Sequence, residues 1–158
     1  MEDSKEDIMG EEIYQKALEY AKKKHEGQFR IGGAPFIVHP IAVAEILRQD
    51  GKQVEYRVAA VFHDLGKISI DKAILNKPGK LTPEENELLR SHSQRSYDML
   101  KEKWNIPARV KAAVLSHHEN EVGSGYPNGL TGDKIHPFAK IIHVADVYDA
   151  LSSDRAYK

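Results

Sequence analysis

The chain has 158 residues, 41% of them hydrophobic and 30% charged, with a net charge of −1. That length supports one domain with a real core, and the near-zero charge excludes a global basic field that would gather nucleic acid or an anionic membrane. The absence of cysteine excludes disulfides and thiolate zinc sites and fits a reducing, cytoplasmic setting. No apolar run approaches the roughly 20 residues of a membrane span. The unusual feature is eight histidines, since neutral imidazole is the commonest metal ligand.

Residues 1–9, polar and acidic at the start, read as a flexible N-terminus, with a single domain over residues 10–158. Glu11 to Lys24 follows a helical pattern with Ile13, Ala17, Leu18, Tyr20 and Ala21 on one face, and Gly27 reads as its stop. Phe29 to Val38 is a Gly-Gly-Ala-Pro loop. His39-Pro40 opens a helix running to Asp50-Gly51, and a further helix runs from about Val54 to Asp64 and stops near Gly66. After a mixed turn, Thr82-Pro83-Glu84-Glu85 combines an N-cap, Pro at the first helical position and Glu at the third. This predicts one helix from there to about Trp104. Pro107 opens the next, ending at His117-His118. Glu119 to His136 is a glycine-rich loop of the length that is usually functional or disordered. Pro137 opens a last helix with Ile141, Val144, Ala145, Val147, Tyr148 and Leu151. No segment alternates like a strand, so the predicted class is all-α, a single-domain helical bundle.

The chemistry-bearing residues cluster at helix ends and interiors. His39 stands at a helix start, His63-Asp64 and His117-His118 at helix ends, His92 and Asp146 inside helices, with Asp149 one turn beyond Asp146. Bundles build metal sites from such facing helices. Imidazole and carboxylate without thiolate suit Mn, Fe, Zn, Ni or Co. Seven candidates exceed the needs of one ion, which predicts two. Singly, each has an ordinary reading: His39 as a helix cap, His92 as a solvated residue between Ser91 and Ser93, and His117-His118 as a cationic helix C-terminus. Asp146 resists that, because an ionised carboxylate among Val144, Ala145 and Val147 needs a partner. His25, His136 and His143 lack such context and read as structural.

His39…His63-Asp64…Asp146 resembles the H…HD…D signature of HD-superfamily metal-dependent phosphohydrolases. Over residues 62–158 the resemblance narrows to the HD-GYP family, in His63-Asp64-Leu65-Gly66-Lys67-Ile68, Ser91-His92-Ser93, His117-His118-Glu119 with Gly123-Ser124-Gly125-Tyr126-Pro127, and the run from Ala145 to Lys158. Residues 21–43, with His25-Glu26-Gly27-Gln28-Phe29-Arg30 and Phe36-Ile37-Val38-His39-Pro40, are similar instead to RelA/SpoT-type alarmone hydrolases, as is the short His39-to-His63 interval.

The resemblance implies an HD-domain bundle with a metal site between helices. It implies a binuclear or trinuclear centre and hydrolysis of the phosphodiester of cyclic di-GMP, a small-molecule signalling nucleotide, by a metal-activated water; the expected cofactor is two divalent transition-metal ions, Mn or Fe ahead of Ni, Co or Zn. Carried over by position, the ligands are His39, His63, Asp64, His92, His117, His118 and Asp146, with Asp64 bridging. Lys67 holds a phosphate oxygen, Arg155 and Lys158 hold substrate phosphates, and Gly125, Tyr126 and Pro127 shape the loop over the site.

Three departures stand out. Pro35 replaces the Glu of trinuclear members, favouring two ions. Glu119-Asn120-Glu121-Val122 lacks the Arg and Asp common there, predicting weaker loop support. The chain stops at Lys158, where relatives continue with more helix, so an exposed final face favours a homodimer. A sensory or receiver domain in a longer parent chain is a further expected partner, whereas nucleic acid and membrane are not. The rival functions are a (p)ppGpp 3′-pyrophosphohydrolase, weakened by Gly66-Lys67 where that branch carries an acidic pair, a broad nucleotidase, and a catalytically silent metal-containing signalling module.

Overall fold

The structure, a computed structural model, describes residues 4–30, 32–103 and 105–152. The short helix α3 (Val54–Phe62) forms its centre, with every side chain from Val58 to Phe62 buried. The V-A-A-V-F run can lack a polar stripe because no face of it meets water. Around it pack α1 (Lys5–Lys24), α2 (Val38–Gln49), α7 (Ala108–Ser116) and α8 (Pro137–Ser152). Ala21, Ala44, Ala113 and Ala139 are buried in the core, where small side chains let neighbouring helices approach closely. The expected all-α class is what the structure has: the described residues contain no strand, only isolated bridges pairing Phe29 with Pro35 and Val122 with Thr131.

Helix α1 begins at Lys5, earlier than its apolar pattern indicated, so residues 5–9 of the expected flexible start are helical. The reason is a capping box: Ser4 Oγ accepts from Asp7 N at 3.1 Å, and Asp7 Oδ2 accepts from Ser4 N at 3.2 Å. Its buried stripe also differs. Tyr14, with Gly10, Ala17 and Ala21, faces inward, while Ile13 is exposed. Gly10 admits the Val54 side chain at the base of α3, and the Arg57 guanidinium covers the Tyr14 ring at 4.0 Å.

The long helix expected from Thr82 is two helices, α5 (Pro83–Arg90) and α6 (His92–Leu100); Trp104 lies outside the described residues. The capping box at Thr82 and Glu85 forms as the sequence indicated. The interruption falls at Ser91, whose Oγ donates to Leu88 O at 2.5 Å and whose backbone N–H is shared between Glu87 O and Leu88 O. Such back-bonding competes with the regular ladder. His92 thereby becomes the buried first residue of α6.

Two 3₁₀ turns, Leu65–Ser69 and Gly132–Lys134, and the short α4 (Lys72–Leu75) complete the elements. The first turn packs on α6, and Gly66 makes that contact: a Cβ there would lie 2.2 Å from His92 O and 2.7 Å from Ser96 N. In its place Gly66 N donates to Ser96 Oγ at 2.7 Å. Among the described residues, no helix is long and apolar enough to cross a membrane.

Candidate metal centre

The ends of α3 and α7 and the starts of α2 and α6 converge with α8 on one cluster of His and Asp side chains. Three of the histidines share one local device. His63 Nδ1 lies 2.5 Å from Ala60 O, His92 Nδ1 2.7 Å from Leu89 O, and His117 Nδ1 2.7 Å from Val114 O. Each partner is the carbonyl three residues earlier, one of the orphan acceptors of a helix end. A carbonyl only accepts, so Nδ1 carries a proton and Nε2 is the atom each ring can turn toward a cation. His39 is oriented by carboxylates instead: Nδ1 lies 2.5 Å from Asp149 Oδ2, and Nε2 faces Asp146 Oδ1 at 2.7 Å. Such outer hydrogen bonds orient metal-ligating imidazoles.

Asp64 stands between two groups of donors. Its Oδ2 lies 3.3 Å from His63 Nε2 and 3.6 Å from His39 Nε2, while Oδ1 lies 3.4 Å from His92 Nε2. His39, His63 and Asp146 offer donor atoms within 4.8 Å of one another, and so do His92, His117 and His118. His63, Asp64 and His117 form a third such set linking them. All seven ligands expected from the sequence are therefore brought together. Despite these short separations, His63 Nε2 and Asp64 Oδ2 are buried without a hydrogen-bond partner. Buried polar atoms are seldom left so; a divalent cation held by imidazole and carboxylate is a fitting partner.

The electrostatics divide along the same line. Burial drives the pKa of His92 down to about 3 and that of His118 to about 4, and holds that of His117 well below the usual imidazole value. This group is neutral, as a metal site requires. At His63, burial also lowers the pKa, but the Asp64 and Asp146 carboxylates outweigh it and raise the value to about 9. Burial would raise Asp64, yet the positive charges of His63 and Lys67 hold it far below the usual carboxylate range. Asp146 is likewise held below the usual carboxylate range against burial, by its hydrogen bond with His39 and by the nearby His63 imidazole.

The cluster forms one end of a cleft of about 770 Å³, whose lining includes His39, His118, Asp146, Lys67, Arg30 and Phe36. Lys67 Nζ lies 3.5 Å from Asp64 Oδ1. The lining also includes the apolar Ile74, Leu75, Pro78, Leu81 and Leu89, with Asn76 and Lys77 among them.

Tyr126 packs against a candidate ligand: its ring stacks on His118 at 4.8 Å and 17°, and the guanidinium of Arg90 on α5 lies 5.2 Å from the ring. Gly125 lies against the backbone of His118 and Glu119, where a Cβ would come within 2.4 Å of His118 O. Gly125, Tyr126 and Pro127 thus sit beside the His117-His118 turn and are not among the residues lining the cleft. The loop is well tied despite its departure from the familiar pattern. Glu119, 4% exposed, accepts from Asn128 N at 2.7 Å and Leu130 N at 2.8 Å. Asn120 Oδ1 accepts from Val122 N and Ser124 N. Arg155 and Lys158 lie outside the described residues.

Sequence reasoning gave Asp149 and Glu119 no task. The signal for Asp149 was its place one turn after Asp146 in an apolar helix; Glu119 carried no signal of its loop contacts. His143, read as structural, sets Nδ1 2.9 Å from His117 O and so props the turn that carries His117 and His118.

Comparison with known proteins places this geometry. Residues 37–158 match the HD domain family. The chain is 41% identical over 138 residues to the cyclic di-GMP phosphodiesterase response regulator RpfG of Xanthomonas campestris, covering 83% of this chain and 36% of that protein. It is 39% identical over 111 residues to a 3′3′-cGAMP-specific phosphodiesterase of Vibrio cholerae, covering 69% of this chain and 24% of the relative. The chain therefore spans about a third or less of these relatives. Among solved structures, an HDG"Y"P protein of Bdellovibrio bacteriovorus has the same fold, with a TM-score of 0.63 at 22% identity over 75% of this chain and 42% of that one. None of these matches is an alarmone hydrolase, so the resemblance of residues 21–43 to that branch stays unsupported. The His-Asp cluster between helices, the fold and the match over residues 37–158 together make this chain a member of the HD domain family.

Proposed function

We propose that this chain is a metal-dependent phosphodiesterase that cleaves the 3′–5′ phosphodiester of cyclic di-GMP or a closely related cyclic dinucleotide. The observation that carries this reading is Asp64, one carboxylate facing two groups of imidazole donors at the end of a cleft beside a lysine. His39, His63, Asp64 and Asp146 would hold one divalent ion, and Asp64, His92, His117 and His118 a second; Mn or Fe suits the set, with Ni, Co or Zn as alternatives. Such a pair supplies neutralisation of phosphoryl charge and a lowered pKa for the attacking water. Lys67 gives a compact positive charge for a non-bridging phosphate oxygen, at the position where negative charge grows. Arg155 and Lys158 are proposed to hold the remaining phosphate charge. Most of the donor side chains are buried, which keeps bulk water from competing with the bound phosphodiester. The cleft volume falls within the roughly 300–1,000 Å³ range of small-molecule sites. The two relatives named above are described as acting on cyclic dinucleotides, which supports that substrate class.

The test is incubation of purified protein, loaded with Mn or Fe(II), with cyclic di-GMP, 3′3′-cGAMP, ppGpp and bis(p-nitrophenyl) phosphate, beside His63→Ala and Asp64→Ala. Metal-dependent turnover of a cyclic dinucleotide, lost by roughly 10³-fold or more in both variants, is expected. Cleavage of ppGpp alone would move the assignment to alarmone hydrolysis, and no turnover of any substrate would leave a silent metal-containing module. Elemental analysis tests the second ion; a stoichiometry near one contradicts it.

A further inference from the structure

The site's one lysine in the first 3₁₀ turn is held from behind by residues that have no place in the reaction as described above. His25, at the C-terminal cap of α1, is 3% exposed, and Gln28 is 8% exposed. Gln28 Nε2 donates to the backbone carbonyl of Lys67 at 3.2 Å. That fixes the amide's orientation and leaves Oε1 as the atom 2.7 Å from His25 Nδ1. The oxygen only accepts, so His25 carries its proton on Nδ1. Burial lowers the His25 pKa, in keeping with a neutral ring. The Gln28 backbone is itself fixed on both sides: its N–H donates to His25 O at 2.9 Å, and its carbonyl accepts from Phe36 N at 2.9 Å. Phe36 completes the arrangement. Its ring stacks on His25 at 4.9 Å and 25°, and Lys67 Nζ lies 5.6 Å from the same ring.

The remaining nitrogen argues that this is more than core packing. His25 Nε2 is buried and has no hydrogen-bond partner. An apolar side chain would fill the space without stranding a polar atom. What the imidazole adds is the Nδ1–H that locks Gln28 and, through it, the Lys67 carbonyl.

We infer that His25 and Gln28 are positioning residues for Lys67, holding its main chain while Phe36 supports its ammonium group toward the phosphodiester. This rests on the reading of Lys67 as a phosphate-binding residue. The balance of forces is simple: a flexible lysine stem searches many rotamers, and fixing its backbone and one wall cuts that search before substrate arrives.

The test uses His25→Leu, His25→Asn and Gln28→Met. In His25→Asn the amide N–H stands near the Nδ1 position and restores the donor. Two readouts are taken, the first on protein loaded with diamagnetic Zn and the second on protein loaded with Mn or Fe(II). The first is the ¹³C resonance of reductively methylated Lys67 at one fixed pH, assigned by its loss in Lys67→Arg. The second is the split of kcat and KM on cyclic di-GMP. The expected result is that His25→Leu and Gln28→Met move the Lys67 resonance away from its Phe36-shifted position toward that of solvent lysines. Both should lower kcat/KM by roughly 10–100-fold with metal content unchanged, and His25→Asn should recover most of both. An unchanged Lys67 resonance in Gln28→Met and in folded His25→Leu overturns the inference, whatever the activity. A shifted resonance in a protein that turns over no substrate upholds the brace and refutes the phosphodiesterase reading instead.

Discussion

Asp149 Oδ2 lies 2.5 Å from His39 Nδ1, although 110 residues separate the two in the chain. The contact fixes the His39 ring plane, so that Nε2 faces the carboxylate oxygens of Asp64 and Asp146. Removing such an outer carboxylate weakens metal binding by about 10–100-fold. Asp149→Ala is expected to lose metal to a chelator at correspondingly lower concentration, and Asp149→Asn to fall between it and the parent. Competition against a chromogenic chelator measures both.

Metal-free protein is expected to be most stable near about pH 6.5 and to lose stability on either side. His92, His117 and His118 have folded pKa values depressed by burial. Unfolded, they bind protons near pH 6.5; folded, they do so only near pH 4 or below for His118 and His92. Stability therefore falls as pH drops through that window, by on the order of a few kcal/mol. Asp64 and Asp146, also depressed, remove their share below about pH 4. His63 has the opposite sign. Its value is raised to about 9, so its contribution is complete below 6.5 and is lost as pH rises through 9. Metal must displace that proton, so metal should tighten with pH over the same alkaline window. Thermal denaturation in chelator at acid, near-neutral and alkaline pH, repeated with added Zn, checks both halves; a flat profile would contradict the assignment.

Gly66→Ala should separate the Leu65–Ser69 turn from α6. The added Cβ would meet His92 O and Ser96 N, which are backbone atoms that cannot swing aside. We expect a loss of roughly 2–4 kcal/mol in urea unfolding, together with weaker metal retention, since Asp64 and His92 lie on the two elements being forced apart.

Glu119→Ala should loosen the loop from Glu119 to His136 without unfolding the bundle. Two backbone N–H groups, those of Asn128 and Leu130, lose a charged acceptor. Each such bond is worth about 1.5–3 kcal/mol. Faster hydrogen exchange at those two amides, with little change in the amides of α3, is the expected pattern. Glu119→Gln, which keeps one acceptor oxygen, should lie between.

Local physics made much of this chain legible without coordinates. The capping box at Thr82 and Glu85, the helix ends at His63 and His117, and the surplus of imidazole and carboxylate donors follow from short-range rules, and they sufficed to indicate an all-α bundle with a metal site. What only the folded chain decided is non-local. Apolar spacing on α1 leaves the inward face ambiguous by one position, and the contact with α3 chose Tyr14 over Ile13. The break at Ser91 arises from a side chain competing with its own helix, which periodicity does not register. Asp149 and Gln28 have tasks only because helices distant in sequence bring His39 and Lys67 to them. Residue type determined which atoms can bind a cation; packing around α3 determined which of them meet, and which others hold them in place.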